Sequence, residues 1–233
     1  MKYTYLLLDL GSLLGPLLLS FDKRVAFYTH WKALFVAIAC MMLVFIPWDI
    51  WKTSLGVWGF NPDYLLGIYF WNLPLEECLF FICIPYACIF IYECMLSYFP
   101  NAAMGKYYLQ FTGVLASLLI VLAFANTSQW YTASAFGFAG VLLFLLIRMG
   151  HVAYLNRFYI SYLIILVPFL LVNGVLTRTG IDKPIVWYSS QAIFNIRIGT
   201  IPIEDTIYNL GMLLLVLSIY ERLKQGKEKK QSM

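Results

Sequence analysis

Charge is what this sequence has least of. Only 12% of its 233 residues are Asp, Glu, Lys or Arg, against about 25% in a soluble globular domain. Histidine is scarce too: His30 and His151 are the only two, both in basic stretches. There is no His-Glu-x-x-His, no Cys-x-x-Cys and no glycine-rich phosphate loop, which removes the usual zinc, redox and nucleotide signatures. The five cysteines, Cys40, Cys78, Cys83, Cys88 and Cys94, are odd in number and lie in apolar runs. They read as small buried hydrophobes rather than disulfides or metal ligands.

What remains is apolar. Hydrophobic residues make up 62% of the chain and the mean hydropathy is +0.78. A span needs about 20 apolar residues, and seven stretches qualify, roughly 3–21, 33–51, 75–97, 108–126, 132–150, 158–177 and 203–221. The expected fold class is therefore all-α, a polytopic membrane protein of about seven transmembrane helices. The first run follows only Lys2 and lacks a small-residue cleavage site, so it reads as a retained span.

The few cations report topology rather than nucleic-acid binding. With seven spans, Lys23, Arg24, Lys32, Lys106, Arg148, Arg157, Arg222, Lys224, Lys227, Lys229 and Lys230 share one side, and Lys2, Lys52, Arg178, Lys183 and Arg197 the other. The positive-inside rule then puts the N-terminus outside and the C-terminus in the cytoplasm, with the inner membrane of a bacterial cell as the expected location.

The chain also repeats itself. "PWDIWKTSLG" ends span two and "LVNGVLTRTG" ends span six, aligning Asp49 with Asn173 and Thr53 with Thr177. Pro74-x-Glu76-Glu77 then aligns with Pro202-x-Glu204-Asp205, with four extra residues in the second loop. Residues 1–107 form a first repeat (spans one to three), 108–131 a linking span, 132–222 a second repeat (spans five to seven) and 223–233 a basic tail. A single linking span leaves the two repeats parallel, related by a pseudo-two-fold axis along the membrane normal.

Each repeat thus opens a long apolar helix with two adjacent carboxyls. Acids in a first helical turn commonly answer the helix dipole, and proline is common there as well. Two features favour a function: the flanking sequence is apolar, and the pattern occurs twice. Acids at membrane depth usually face the protein interior and mark a site. Two adjacent carboxyls in an apolar site should not both ionise, so the cluster can hold a proton for an apolar substrate. Aromatic residues are 18% of the chain, and several sit near the cluster, Trp48, Trp71 and Tyr208 among them. Most suit an interfacial belt, but ring faces can also stabilise a carbocation.

The paired Pro-x-Glu-Glu at 74–77 and Pro-x-Glu-Asp at 202–205, each opening a membrane helix, resemble the motifs of the membrane-embedded lycopene cyclases. That family includes bacterial heterodimeric cyclases, in which each subunit carries one motif, and the cyclase half of fungal cyclase–phytoene synthase fusions. This chain is similar to the two subunits fused, over nearly its whole length. Asn173 departs from the first copy's Asp49, so the halves need not do identical chemistry.

The resemblance implies a redox-neutral lycopene β-cyclase. It would turn acyclic ψ end groups into β-ionone rings, lycopene to γ-carotene to β-carotene, by protonation at C2, attack of C5=C6 on the C1 cation and loss of the C6 proton. It implies Glu76, Glu77, Glu204 and Asp205 as catalytic, with glutamine at Glu77 or Glu204 expected to abolish ring formation. Asp49, Asn173, Pro74, Pro202, Trp48, Trp71 and Tyr208 would line or support the pocket. The expected partners are lycopene or another acyclic carotenoid, membrane lipid and enzymes of the carotenoid pathway, with no nucleic acid. Neither a metal nor a nucleotide cofactor is expected.

Rival readings lack their residues. A microbial rhodopsin needs a lysine within span seven, and an Mg²⁺-diphosphate prenyltransferase needs Asp-x-x-x-Asp or Asp-Asp-x-x-Asp; neither is present. A proton-coupled or small-solute transporter is the alternative, since repeats and intramembrane acids suit it. It should show helices broken near the midplane, where only Pro85 and Pro168 interrupt the runs. Asp9 and Glu93 are further intramembrane acids, Glu93 nearer the cytoplasmic interface.

Overall fold

The computed structural model of the chain describes residues 2–150 and 152–231, with side chains as far as Gly226. His151 and the side chains of Lys227, Lys229 and Lys230 lie outside the described residues. Seven helices are described: α1 (Thr4–Leu19), α2 (Trp31–Ser54), α3 (Leu75–Tyr98), α4 (Tyr108–Ala125), α5 (Trp130–Met149), α6 (Leu155–Leu176) and α7 (Ile203–Gln231). All but α1 are long and apolar enough to cross a membrane. α1 has 16 residues, about 24 Å at 1.5 Å per residue. Helices α3 and α6 run unbroken through Pro85 and Pro168, so neither shows the midplane break that a transporter reading calls for.

Burial runs opposite to a soluble protein. Leu7, Leu43, Val114, Phe124 and Leu171 are exposed, while Asp9, Asp49, Glu76, Glu204 and Asp205 are buried. In lipid this costs little for the leucines, whereas an acid left facing hydrocarbon would cost kilocalories. On α1 the sorting is plain: Tyr5 and Asp9, one turn apart on one face, are its buried residues.

The repeat is visible in every element. β1 (Trp58–Phe60), β2 (Tyr69–Phe70) and β3 (Leu73–Pro74) precede α3, as β4 (Val186–Tyr188), β5 (Arg197–Ile198) and β6 (Ile201–Pro202) precede α7. From the strands onward each second-copy residue follows its counterpart by 128 positions, as Val186 follows Trp58 and Glu204 follows Glu76, whereas on α2 and α6 the offset is 124, as Asn173 follows Asp49. Packing repeats as well: α1 lies on α3 as α5 lies on α7, and α2 crosses onto α7 as α6 crosses onto α3. Neither half is therefore a closed bundle.

Short hairpins β2–β3 and β5–β6 each deliver the chain into its helix. Their turns put Trp71 and Gly199 in the left-handed region, at φ 59° and 63°. Glycine takes that conformation freely, whereas at Trp71 it costs about 1–2 kcal/mol. Strands β1 and β4 pair with each other, joining the halves antiparallel with Trp58 opposite Tyr188, Gly59 opposite Trp187 and Phe60 opposite Val186. That register maps onto itself when the repeats are exchanged, so the pseudo-two-fold passes between Gly59 and Trp187. A Cβ at Gly59 would lie 2.3 Å from the Trp187 ring, and only glycine leaves that ring where it is.

Candidate active site

Adjacent residues on a helix point about 100° apart, and this separates each carboxyl pair. Glu76 turns back toward the loop before it: its Oε1 accepts the Leu66 N–H at 2.6 Å. Glu204 does the same for Phe194, ten residues upstream, and also accepts the Thr132 hydroxyl. Both are fully buried, so each fastens a loop onto a helix head. Glu77 and Asp205, one position on, face instead a narrow cleft between the repeats, with a cavity volume of about 50 Å³.

The cleft draws on both halves. Asp49 of α2 and Asn173 of α6, aligned by the repeat, line it beside Glu77 and Asp205. The Tyr5 hydroxyl donates to Glu77 Oε2 at 2.6 Å. Asp205 is held more heavily: Tyr131 donates to Oδ1 at 2.7 Å, Tyr188 to Oδ2 at 3.0 Å, and the Asn173 amide lies 3.4 Å from Oδ2. Asp49 takes a hydrogen bond from the Trp58 side chain, and its Oδ2 is buried with no partner. Burial, then the nearby Asp205 carboxyl, push the Tyr188 phenol well above its ordinary range, so Tyr188 stays neutral and serves as a donor.

The remaining walls are rings and aliphatics. Tyr131 and Tyr188 stack at 5.8 Å, Trp58 meets Tyr131 edge-on at 5.0 Å, and Tyr208 stands edge-on to both Trp58 and Tyr131. The Tyr208 hydroxyl is buried without a partner. Trp48 lies behind Tyr208, packed edge-on at 5.6 Å. Pro74 and Pro202 are buried at the ends of their hairpins, where they shape the entry to the helix. Trp71 does not join the pocket: it is 82% exposed at its hairpin turn.

The other intramembrane acids separate likewise. Glu93, far down α3, accepts from Tyr220 at 2.7 Å and from Lys224 at 2.6 Å, well away from the cleft. Asp9 is buried next to the cleft without lining it. Sequence reasoning places Tyr188 among the aromatics near the cluster but misses Tyr5 and Tyr131, the other phenols that hold the cleft carboxyls. A Tyr-Thr pair at the head of each repeat, Tyr3-Thr4 and Tyr131-Thr132, could have drawn attention to Tyr131, but it aligns Tyr131 with the exposed Tyr3 and gives no signal for Tyr5.

A family model described as lycopene cyclase matches the chain twice, over residues 2–95 and 128–223. Those two matches coincide with the two repeats and leave out α4. No curated protein and no solved structure matches.

Proposed function

The chain belongs to the lycopene cyclase family, and from that premise we propose that it is a lycopene β-cyclase acting by redox-neutral acid–base catalysis on the end groups of an acyclic carotenoid. The observation that supports this most is the cleft itself. One carboxyl from each repeat, Glu77 and Asp205, faces a ring-lined space between the halves. An apolar end group that parts the surrounding side chains on entry meets both an acid and a base there. One carboxyl adds a proton at C2, leaving a cation at C1. The C5=C6 electron pair closes the ring by forming the C1–C6 bond, which moves the cation to C5. The other carboxyl removes the C6 proton, and C5=C6 is restored. One proton enters and one leaves, with no change of oxidation state.

The rings have a part in this. Trp58, Tyr131 and Tyr208 present π surface to the developing cation, worth about 2 kcal/mol when desolvated. Glu76 and Glu204 act indirectly, by tying down the loops that close over the cleft.

The test uses purified protein in liposomes with lycopene in D₂O and nothing else added. Cyclic carotene should form, each ring carrying one deuterium at C2. A requirement for stoichiometric reductant, or rings without deuterium, would overturn the reading. The same proposal places the protein in the inner membrane of a bacterial cell with α7 ending in the cytoplasm, since most cations gather at that end. A fusion reporter after Met233 should be active only inside, and activity on the outer face would reverse the orientation.

A further inference from the structure

The two repeats are alike in backbone and unlike in proton chemistry. On the Glu77 side stand four acids: Glu77, Asp49 and Asp9, with Glu76 turned to its loop. Tyr5 is the sole hydrogen-bond donor to Glu77 among the described residues. Asp9 is fully buried and neither of its oxygens has a partner, yet it lies near enough to Glu77 and Glu76 to interact with both. A buried anion with no protein donor would cost several kilocalories, so this side is built to hold protons. On the Asp205 side α5 contributes no acid, and the residue aligned with Asp49 is the amide of Asn173. Three donors converge on Asp205; Glu204, the acid beside it, is turned to its own loop, and both Glu204 and Arg197 lie within electrostatic reach. Donors directed at both oxygens favour the charged carboxylate.

The geometry points to a division of labour, resting on the cyclase reading: Glu77 is the resting acid that protonates C2, Asp205 is the resting base that takes the C6 proton, and Asp9 is a positioning residue that keeps the Glu77 side protonated. In each turnover the Glu77 O–H bond breaks as C2–H forms, and C6–H breaks as an O–H bond forms on Asp205. The proton then returns across the cleft from Asp205 to Glu77. An end group can therefore enter a pseudo-symmetric cleft in only one productive sense.

Two readouts test this. The first needs no substrate: infrared difference spectra of the resting protein against single variants, in H₂O and D₂O. Glu77→Gln should remove a protonated carboxyl band that shifts in D₂O, whereas Asp205→Asn should remove a carboxylate band. Asp9→Asn should remove a second protonated band and weaken the band assigned to Glu77. A protonated band lost with Asp205→Asn, or a carboxylate band lost with Glu77→Gln, overturns the assignment even if the protein never cyclises lycopene. The second readout follows label in the carotenoid. Asp205→Asn should still place deuterium at C2, in recovered lycopene or in rings whose cation has lost a proton from another carbon, while Glu77→Gln places none. The reverse pattern overturns the assignment while leaving the cyclase reading intact. Failure of the unsubstituted protein to cyclise lycopene overturns that reading alone.

Discussion

Glu77→Gln is expected to insert and fold normally and yet lose ring formation by about 10²–10⁴-fold, the range supplied by a positioned general acid. Glutamine is nearly the same shape and can still accept the Tyr5 hydroxyl, which lies 2.6 Å from Oε2 in the native protein. What disappears is the transferable proton. The matched control is Glu204→Gln. Glu204 also opens a membrane helix, but its Oε1 accepts the Phe194 N–H and the Thr132 hydroxyl, and an amide oxygen does both. Ring formation there should change by no more than a few-fold. The two variants share one chemistry and differ only in which way the side chain points. Initial rates of cyclic carotene formation from lycopene in liposomes, normalised to inserted protein, decide it. Equal losses at both positions would show that the cleft-facing direction is not what matters, and an active Glu77→Gln would remove Glu77 from catalysis.

That contrast marks how far the sequence could be read. The seven helices, the duplication, the four-residue insertion in the second loop and the gathering of acids near two helix heads were all legible. They rest on long apolar runs and on spacing, which survive without coordinates. The separation of Glu76 from Glu77 was not legible, because adjacency in sequence says nothing of which neighbour the loop will claim. It took the loop turning back, so that Leu66 and Phe194 offer their N–H groups, to assign one carboxyl to structure and leave the other in the cleft. Trp71 was placed near the pocket for the same reason of proximity, whereas a two-residue turn carries it outward. Tyr131 could not be singled out among seventeen tyrosines, and Tyr188, legible as an aromatic near the cluster, gains its place over Asp205 only through the β1–β4 pairing. Asp9 was visible as an acid in an apolar run, but its relation to Glu77 depends on α1 packing against α3.

Cutting the chain should abolish activity in either piece and restore it when both are made together. The place to cut is the short, largely exposed connection after α3, residues 99–104. α4 belongs with the second piece because it packs closely on α5, where a Cβ at Gly140 would lie 2.7 Å from the Ile120 side chain. The first piece then carries Glu77, Asp49 and Asp9, and the second Asp205, Asn173 and the tyrosines Tyr131 and Tyr188. Neither can form the cleft: α2 packs on α7, α6 packs on α3, and β1 finds its partner strand only in β4. Alone, each piece would leave acids facing lipid or unpaired, at a cost of kilocalories apiece, and should be poorly retained in the membrane. Together they should reassemble through those crossed contacts, because no essential contact runs through the severed loop. The resemblance to two-subunit cyclases, each subunit with one motif, leads to the same outcome. The measurement is cyclic carotene in lycopene-producing cells that express the first piece, the second, or both, with membrane levels of each piece followed by immunoblot. Ring formation by one piece alone would mean that a single repeat, alone or paired with its own copy, suffices and that Glu77 and Asp205 need not share a cleft. Two stably inserted pieces that stay inactive together would mean that the linking loop does more than connect.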